Sequence, residues 1–314
     1  MATERYVVGD WGTSRLRLFL CEGRGVILDS LDGPGVAAVK TPFDELFESM
    51  IRPWEALHGP LSAVLCGMVG SSIGWVQAPY VACPAKPEKI IDACIALRAG
   101  SVHIIPGARC DNRFQAPDVM RGEETQILGA LTLDPTLRHG RLLLCLPGTH
   151  TKWALLEDGI IFEFLTAPTG ELFAALRDHS ILVPGEGRAA KTEGAAFEQG
   201  LKQFNDFPQA QVLHRLFECR SRLLNGEFSA RNAAAFLSGL LIASDVSGAL
   251  QLFATSMAET TVCLIGDPQL MQLYAAALQH RSCDARQLDG GGASLAGLTQ
   301  VHQYIASRVE TNAV

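Results

Sequence analysis

Apolar positions 6–8 form a short run that stops at Gly9 and Asp10. The run resumes after Gly12, Thr13 and Ser14 as 16–20, turns again at 22–25, and continues as 26–28. Such runs separated by Gly-containing turns predict three consecutive strands. The same device returns later. Residues 141–146 are apolar after Arg141, Pro147-Gly148-Thr149-His150 makes the turn, 152–156 form the next run, and Glu157-Asp158-Gly159 turns into 160–162. Gly12 and Gly148 are 136 residues apart, and Glu22 and Glu157 are 135 apart, so the whole strand-turn unit recurs in step.

Between the copies, Phe43, Leu46, Phe47, Met50, Ile51 and Trp54 have helical spacing, predicting a helix over 42–57. A buried strand is expected at 61–66, a helix at 88–97, a strand at 102–105, and a helix with an acidic first turn at 123–133. After the second copy the pattern predicts helices near 171–177, 192–204, 212–223 and 230–247. A strand follows at 261–265, then a helix at 268–279, then Asp289-Gly290-Gly291-Gly292 before a last helix ending near 307. This is α/β alternation with a three-stranded opening in each half. The expected domains are 1–137 and 138–297, with a helix in 298–314 packing back on the first, and a ligand cleft where the halves meet.

Length and charge narrow the classes. The 314 residues suit about two domains. A net charge of -7 disfavours a nucleic-acid partner, which needs a basic field. The longest apolar stretch, 233–244, is broken by Ser238 and Gly239 and reads as a buried helix, so no membrane partner is expected. Glu4, Asp10, Arg15 and Arg17 argue against a signal peptide. The nine cysteines show no CxxC spacing, and Cys66, Cys145 and Cys263 sit in apolar runs, as in a reduced, cytoplasmic protein without structural zinc. The histidines are scattered, and no Ser-His-Asp set or metal triad is legible. The sequence is silent on oligomeric state.

A Gly turn followed by hydroxyl residues gathers backbone N–H groups and Thr or Ser hydroxyls into a small concavity that suits phosphate oxygens. Gly12, Thr13 and Ser14 form one such turn, and Gly148, Thr149 and His150 the other. Asp10, beside the first, would hold a hydrated Mg2+ bridging phosphates. Lys152, after the second, would offset phosphate charge. Either turn by itself reads more readily as an ordinary hairpin, and His150 as a solvated turn residue. The duplication together with Asp10 favours the phosphate reading.

The segment Asp10-Trp11-Gly12-Thr13-Ser14 resembles the first phosphate motif of the actin-like ATPase superfamily, and 147–153 the second. The combination is similar to the 2-dehydro-3-deoxygalactonokinase family. Supporting stretches are Gly67-Met68-Val69-Gly70-Ser71-Ser72-Ile73-Gly74-Trp75 with Ala78-Pro79-Tyr80; Val119-Met120-Arg121-Gly122-Glu123-Glu124-Thr125-Gln126; Thr169-Gly170-Glu171-Leu172 with His179-Ser180; and 236–241. The resemblance implies two ribonuclease-H-like domains around a central cleft, with ATP and Mg2+ as cofactors. The implied reaction is γ-phosphoryl transfer to the 6-hydroxyl of 2-dehydro-3-deoxy-D-galactonate. One position departs from the superfamily's adenosine motif, where a Gly-Gly pair is usual: Gly266 is followed by Asp267.

Phosphoryl transfer needs alignment, charge neutralisation and an acceptor for the hydroxyl proton. Related sugar kinases place a carboxylate for that purpose in a stretch comparable to 118–124, and the ranking here is Glu123, then Asp118, then Glu124. The two Glu are equally first-turn residues that suit the helix dipole, and Asp118 a turn residue. Arg17, Arg113 and Arg121 are candidates for the substrate carboxylate, because guanidinium pairs with carboxylates. Arg17 is alternatively a surface strand residue, and the other two would simply offset the acidic string. The Gly67 loop offers backbone approach with Met68, the Ser71 hydroxyl and a Trp75 wall, or else is a connector with Trp75 in the core. Glu171 would bond substrate hydroxyls or serve as a helix-start acid. Gly266 and Gly291 are candidates for the nucleotide's adenosine end. The rival reading is a nucleotide-gated sugar-binding or scaffold ATPase of the same fold; a sugar-sensing regulator and a polyphosphate phosphatase rank lower. The scaffold and the regulator would carry an appended peptide-binding or DNA-reading domain, for which the sequence shows no segment.

Overall fold

The computed structural model describes residues 4–185, 194–207, 209, 211–253 and 261–312. The chain folds into two compact units. One comprises the described parts of 1–140, 156–164 and 290–314, and the other those of 141–155 and 165–289.

In the first unit, β1 (Arg5–Trp11), β2 (Arg15–Glu22) and β3 (Val26–Pro34) form antiparallel neighbours. β4 (Ser62–Cys66) runs parallel to β1. Beyond β4 lie β6 (Ile95–Leu97) and β7 (Val102–Ile104), giving the sheet order β3-β2-β1-β4-β7-β6. Alternation along β1 sends side chains to both faces. Val7 and Trp11 join the core built with α1 (Phe43–His58), which buries Phe47, Ile51 and Trp54. Tyr6, of the other parity, stacks on His302 of α9 (Gly290–Asn312) at 3.8 Å. α9 packs on α3 (Glu123–Leu133) backbone to backbone: a Cβ at Gly129 or at Gly297 would overlap the partner helix.

Three features of this unit differ from the sequence reading. The helix expected over 88–97 is a short α2 (Pro87–Asp92) followed by the edge strand β6, because the Ile-rich stretch also satisfies a strand and pairs antiparallel with β7. A separate sheet of β5 (Tyr80–Ala82), β8 (Gly107–Asp111) and β9 (Pro117–Met120), in the order β5-β8-β9, was not visible in the sequence. Its strands are short and largely solvent-facing, so they carry no apolar alternation. The Gly290–Gly292 run is not a loop before the last helix but its first turn.

The second sheet has the order β12-β11-β10-β13-β14. It is built from β10 (Arg141–Leu146), β11 (Thr151–Glu157), β12 (Ile160–Ala167), β13 (Thr261–Gly266) and β14 (Ala285–Asp289). Its order of third, second, first, fourth and fifth strand is that of β3-β2-β1-β4-β7, and β10, β13 and β14 run parallel in succession. The second unit's helices are α4 (Thr169–His179), α5 (Ala195–Asp206), α6 (Glu218–Leu224), α7 (Ala230–Phe253) and α8 (Pro268–Gln279). Part of the helix expected over 212–223 is instead a 3-10 turn, Val212–His214. The first residues of the helix expected over 192–204 lie outside the described residues. α7 is long and apolar enough to cross a membrane, but most of it is buried in the protein core. All nine cysteines are free.

Candidate functional site

In the first unit the candidate residues gather at the carboxyl ends of the parallel strands β1 and β4, where ligands sit in open α/β sheets. Asp10 and Cys66 are register partners there. The turn after β1 is closed by Gly12 N–H donating to Arg15 O at 2.9 Å, while Val36 and Ala37 N–H bind the carbonyls of Gly12 and Thr13. The N–H and hydroxyl groups of Thr13 and Ser14 take no partner among the described residues, and both residues are exposed. Arg17 lies opposite Asp10 in the β1–β2 ladder, and its Nη2 donates to Asp10 Oδ2 at 2.8 Å. Asp10 Oδ1 takes no hydrogen bond among the described residues. That leaves one carboxylate oxygen for a hydrated cation, the donor set Mg2+ commonly takes from protein.

Two glycines let backbone close on Asp10. Gly67 has φ +89°, and a Cβ there would stand 2.9 Å from Trp11 O and 3.3 Å from Asp10 Oδ1. Gly122 has φ +107°, and a Cβ there would meet Gly67 Cα at 3.5 Å. The acidic string therefore starts beside Asp10. Gly122 N–H donates to both Glu124 oxygens, at 2.8 and 3.0 Å, and Thr125 Oγ1 donates to Oε1 at 3.0 Å. Glu124 is fully buried; burial first, and the Glu123 carboxylate second, push its pKa up to about 8. Glu123 is half-buried and accepts Arg121 N–H at 3.0 Å. Asp118 lies on β9, accepting Val119 N–H at 2.9 Å and Asn112 Nδ2 at 3.4 Å.

The three candidate cations differ. Arg17 is paired with Asp10, and Arg113 with Glu163 at 2.6 Å. Arg121 donates through Nη2 to Ala78 O and lies 4.4 Å over the Tyr80 ring. Its Nε and Nη1 are buried without a hydrogen-bond partner among the described residues. In the Gly67 loop, the Ser71 hydroxyl is spent on Met68 O at 2.7 Å. Trp75 is half-buried against Phe47, with ring centroids 5.5 Å apart, and Met68 packs partly on the same core.

In the second unit the turn 147–150 leaves the N–H groups of Gly148, Thr149 and His150 without a partner among the described residues. The start of α4 lies directly against this turn. Glu171 N–H donates to Thr149 O at 2.9 Å, and a Cβ at Gly170 would overlap Gly148 O and stand 2.9 Å from Thr149 Cα. His150 Nε2 and Glu171 Oε2 are 2.7 Å apart, so two residues expected to touch different ligands touch each other. Lys152 is buried, and its Nζ donates to Thr166 Oγ1 on β12 at 2.9 Å. Gly266 ends β13 beside Pro147. Asp267, in place of the usual second glycine, caps α8 by accepting Gln269 and Leu270 N–H. Gly291 lies in the first unit, in the opening turn of α9. A recess opens beside the turn, lined by Gly148, Phe173, Leu241, Leu270, Leu273 and Tyr274 among others.

Sequence reading missed the polar cluster under that recess: Asp245, Thr169, Tyr274, Thr151 and Trp153. Its signal was a lone Asp in the otherwise apolar part of the 230–253 helical run. Among the described residues no group of three or more His, Cys, Asp or Glu is placed to hold a metal ion.

Two sheets of like strand order, each with a Gly-Thr turn after its first strand, define the ribonuclease-H-like fold of the actin-like ATPases and sugar kinases. A solved activator of 2-hydroxyisocaproyl-CoA dehydratase from Clostridium difficile shares this fold. It has TM-score 0.52 and 10% identity over 98% of this chain and 97% of that one. The chain belongs to the 2-keto-3-deoxy-galactonokinase family, whose model matches residues 10–301. It is 37% identical over 310 residues to the protein named Probable 2-dehydro-3-deoxygalactonokinase DgoK1 in Rhizobium meliloti (strain 1021), covering 96% of this chain and 97% of that protein. It is 33% identical over 308 residues to the 2-dehydro-3-deoxygalactonokinase of Escherichia coli (strain K12), covering 97% and 100%. A solved structure from Sinorhizobium meliloti, assigned to the same activity, superposes with TM-score 0.86 at 34% identity over 96% of this chain and 99% of that one.

Proposed function

We propose that this chain is an ATP-dependent kinase that phosphorylates 2-dehydro-3-deoxy-D-galactonate at its 6-hydroxyl, in the cytoplasmic breakdown of galactonate. The observation that carries the reading is the pair of Gly-Thr turns, in which the N–H groups of Thr13, Ser14, Gly148, Thr149 and His150 take no partner among the described residues. Phosphate oxygens supply the acceptors those groups lack. Gly12, Thr13 and Ser14 serve one set of phosphate contacts, and Gly148, Thr149 and His150 the other. Lys152, buried next to its turn in sequence, adds positive charge there. The apolar recess beside Gly148 is the proposed approach for the nucleoside; Gly266 and Gly291 remain the backbone candidates for its adenosine end.

Asp10 would hold Mg2+ through Oδ1 while Arg17 fixes its other oxygen; the ion supplies charge neutralisation on the phosphates. Glu123 is the proposed base. It is half-buried in the first turn of α3, next to Gly122, whereas Glu124 is fully buried. Asp118 is the second choice. Arg121, with unpaired Nε and Nη1, is the preferred partner for the substrate carboxylate over Arg17 and Arg113. Gly67, Met68, Ser71 and Trp75 form the loop beside it, and Glu171 meets a substrate hydroxyl. The two units are the proposed catalytic lobes, with α9 in the first.

The test is ATP consumption, coupled to a second enzyme, over a panel of 2-keto-3-deoxy sugar acids and simple hexoses. Turnover with the galactonate-derived acid is expected. Turnover of a hexose and of no keto acid overturns the substrate assignment. ATP hydrolysis without any acceptor turnover would favour a nucleotide-gated scaffold.

A further inference from the structure

The phosphate turn 147–150 is braced on two sides through one carboxylate that makes no hydrogen bond to the turn itself. Asp245 sits on α7 with Trp153 Nε1 donating to its Oδ1 at 2.8 Å, and Thr169 Oγ1 and Tyr274 OH each donating to Oδ2 at 2.7 Å. Tyr274 has a single hydroxyl proton, already given to Asp245. In its 2.7 Å contact with Thr151 Oγ1, the threonine must therefore be the donor. This fixes the direction of a chain: Thr151 to Tyr274 to Asp245.

Both arms end at the turn. Thr151 is the residue that follows His150 and opens β11. Thr169 opens α4, whose next two residues lock onto the turn: Gly170 lies under Gly148 and Thr149 with no room for a Cβ, and Glu171 N–H binds Thr149 O. No cation pairs with Asp245 among the described residues; only neutral donors satisfy it. The donors oppose the upward push that burial gives its pKa.

We infer that Asp245 is a positioning residue that sets the turn 147–150 for the nucleotide's phosphates, acting through Thr169 on one side and Tyr274–Thr151 on the other. The inference rests on the kinase reading above. It adds a residue that makes no contact with substrate. Asparagine at 245 offers one acceptor oxygen where the donors now use two, so one donor faces an amide N–H.

The experiment measures KM for ATP, KM for the keto acid and kcat in wild type, Asp245→Asn, Tyr274→Phe and the double variant, with thermal melting of each. Tyr274→Phe guards against a folding failure of Asp245→Asn, because it removes one hydroxyl and keeps the ring. The expected result is a rise in KM for ATP of about tenfold in Asp245→Asn. Tyr274→Phe should give a smaller rise, KM for the keto acid should stay unchanged, and the double variant should be no worse than Asp245→Asn. Unchanged KM for ATP in folded variants overturns the inference, as does an equal rise in both KM values. A wild type that turns over no ATP with any keto acid overturns the kinase reading instead, and calorimetric titration of ADP onto wild type and Asp245→Asn still decides the positioning role.

Discussion

Replacing Glu124 by glutamine should flatten the pH dependence of the chain's stability. Glu124 is fully buried on α3, and burial together with the neighbouring Glu123 carboxylate raises its pKa from 4.5 to about 8. In the unfolded chain it titrates near its ordinary value, so folding favours the protonated form. The contribution is complete below the unfolded pKa, declines as pH climbs through the window up to the folded value, and levels off above it. Each pH unit inside the window costs about 1.36 kcal/mol, so this group lowers stability by roughly 4 kcal/mol between about pH 5 and pH 9. Glutamine keeps a carbonyl for Gly122 N–H and Thr125 Oγ1 and cannot ionise. Urea unfolding of wild type and Glu124→Gln across that range should show a difference that grows in favour of the variant as pH rises. Titrating groups that do not interact with residue 124 are common to both proteins and cancel; Glu123, coupled to it, adds to the difference in the same direction. Parallel curves, or a gap that narrows with rising pH, would refute the argument that Glu124 is protonated in the folded chain.

Glu123→Gln should lower kcat by about 10²–10⁴-fold if it takes the hydroxyl proton, with Asp118→Asn changing it less; two normal enzymes in a turnover assay would end the base assignment. Gly170→Ala drives a methyl into the Gly148–Thr149 backbone and should cost about 1–3 kcal/mol in denaturant unfolding, together with a raised KM for ATP. Arg121→Met should raise KM for the keto acid about tenfold while leaving ADP binding by calorimetry unchanged; an unaltered keto-acid KM would remove Arg121 from the substrate site.

The sequence by itself determined the duplicated strand-turn unit, because a Gly turn between apolar runs is a local event and its repetition at 136 residues is written in the chain. It likewise determined α3, through its acidic first turn, and α8, which opens at Pro268 on the Asp267 cap; these signals are local to each helix start. The tertiary structure decided what sequence spacing does not encode. Residues 95–97 became a strand because β7 offered an open edge, and the short β5-β8-β9 sheet formed from segments with no apolar alternation. The site divided the same way. Asp10, Thr13, Thr149 and Glu123 are candidates on their motifs alone. The pairing of Arg17 with Asp10, of Arg113 with Glu163 and of His150 with Glu171 depends on which side chains the fold brings within 3 Å. Asp245 was out of reach for the same reason: its three donors come from β11, α4 and α8, and only packing sets those distances.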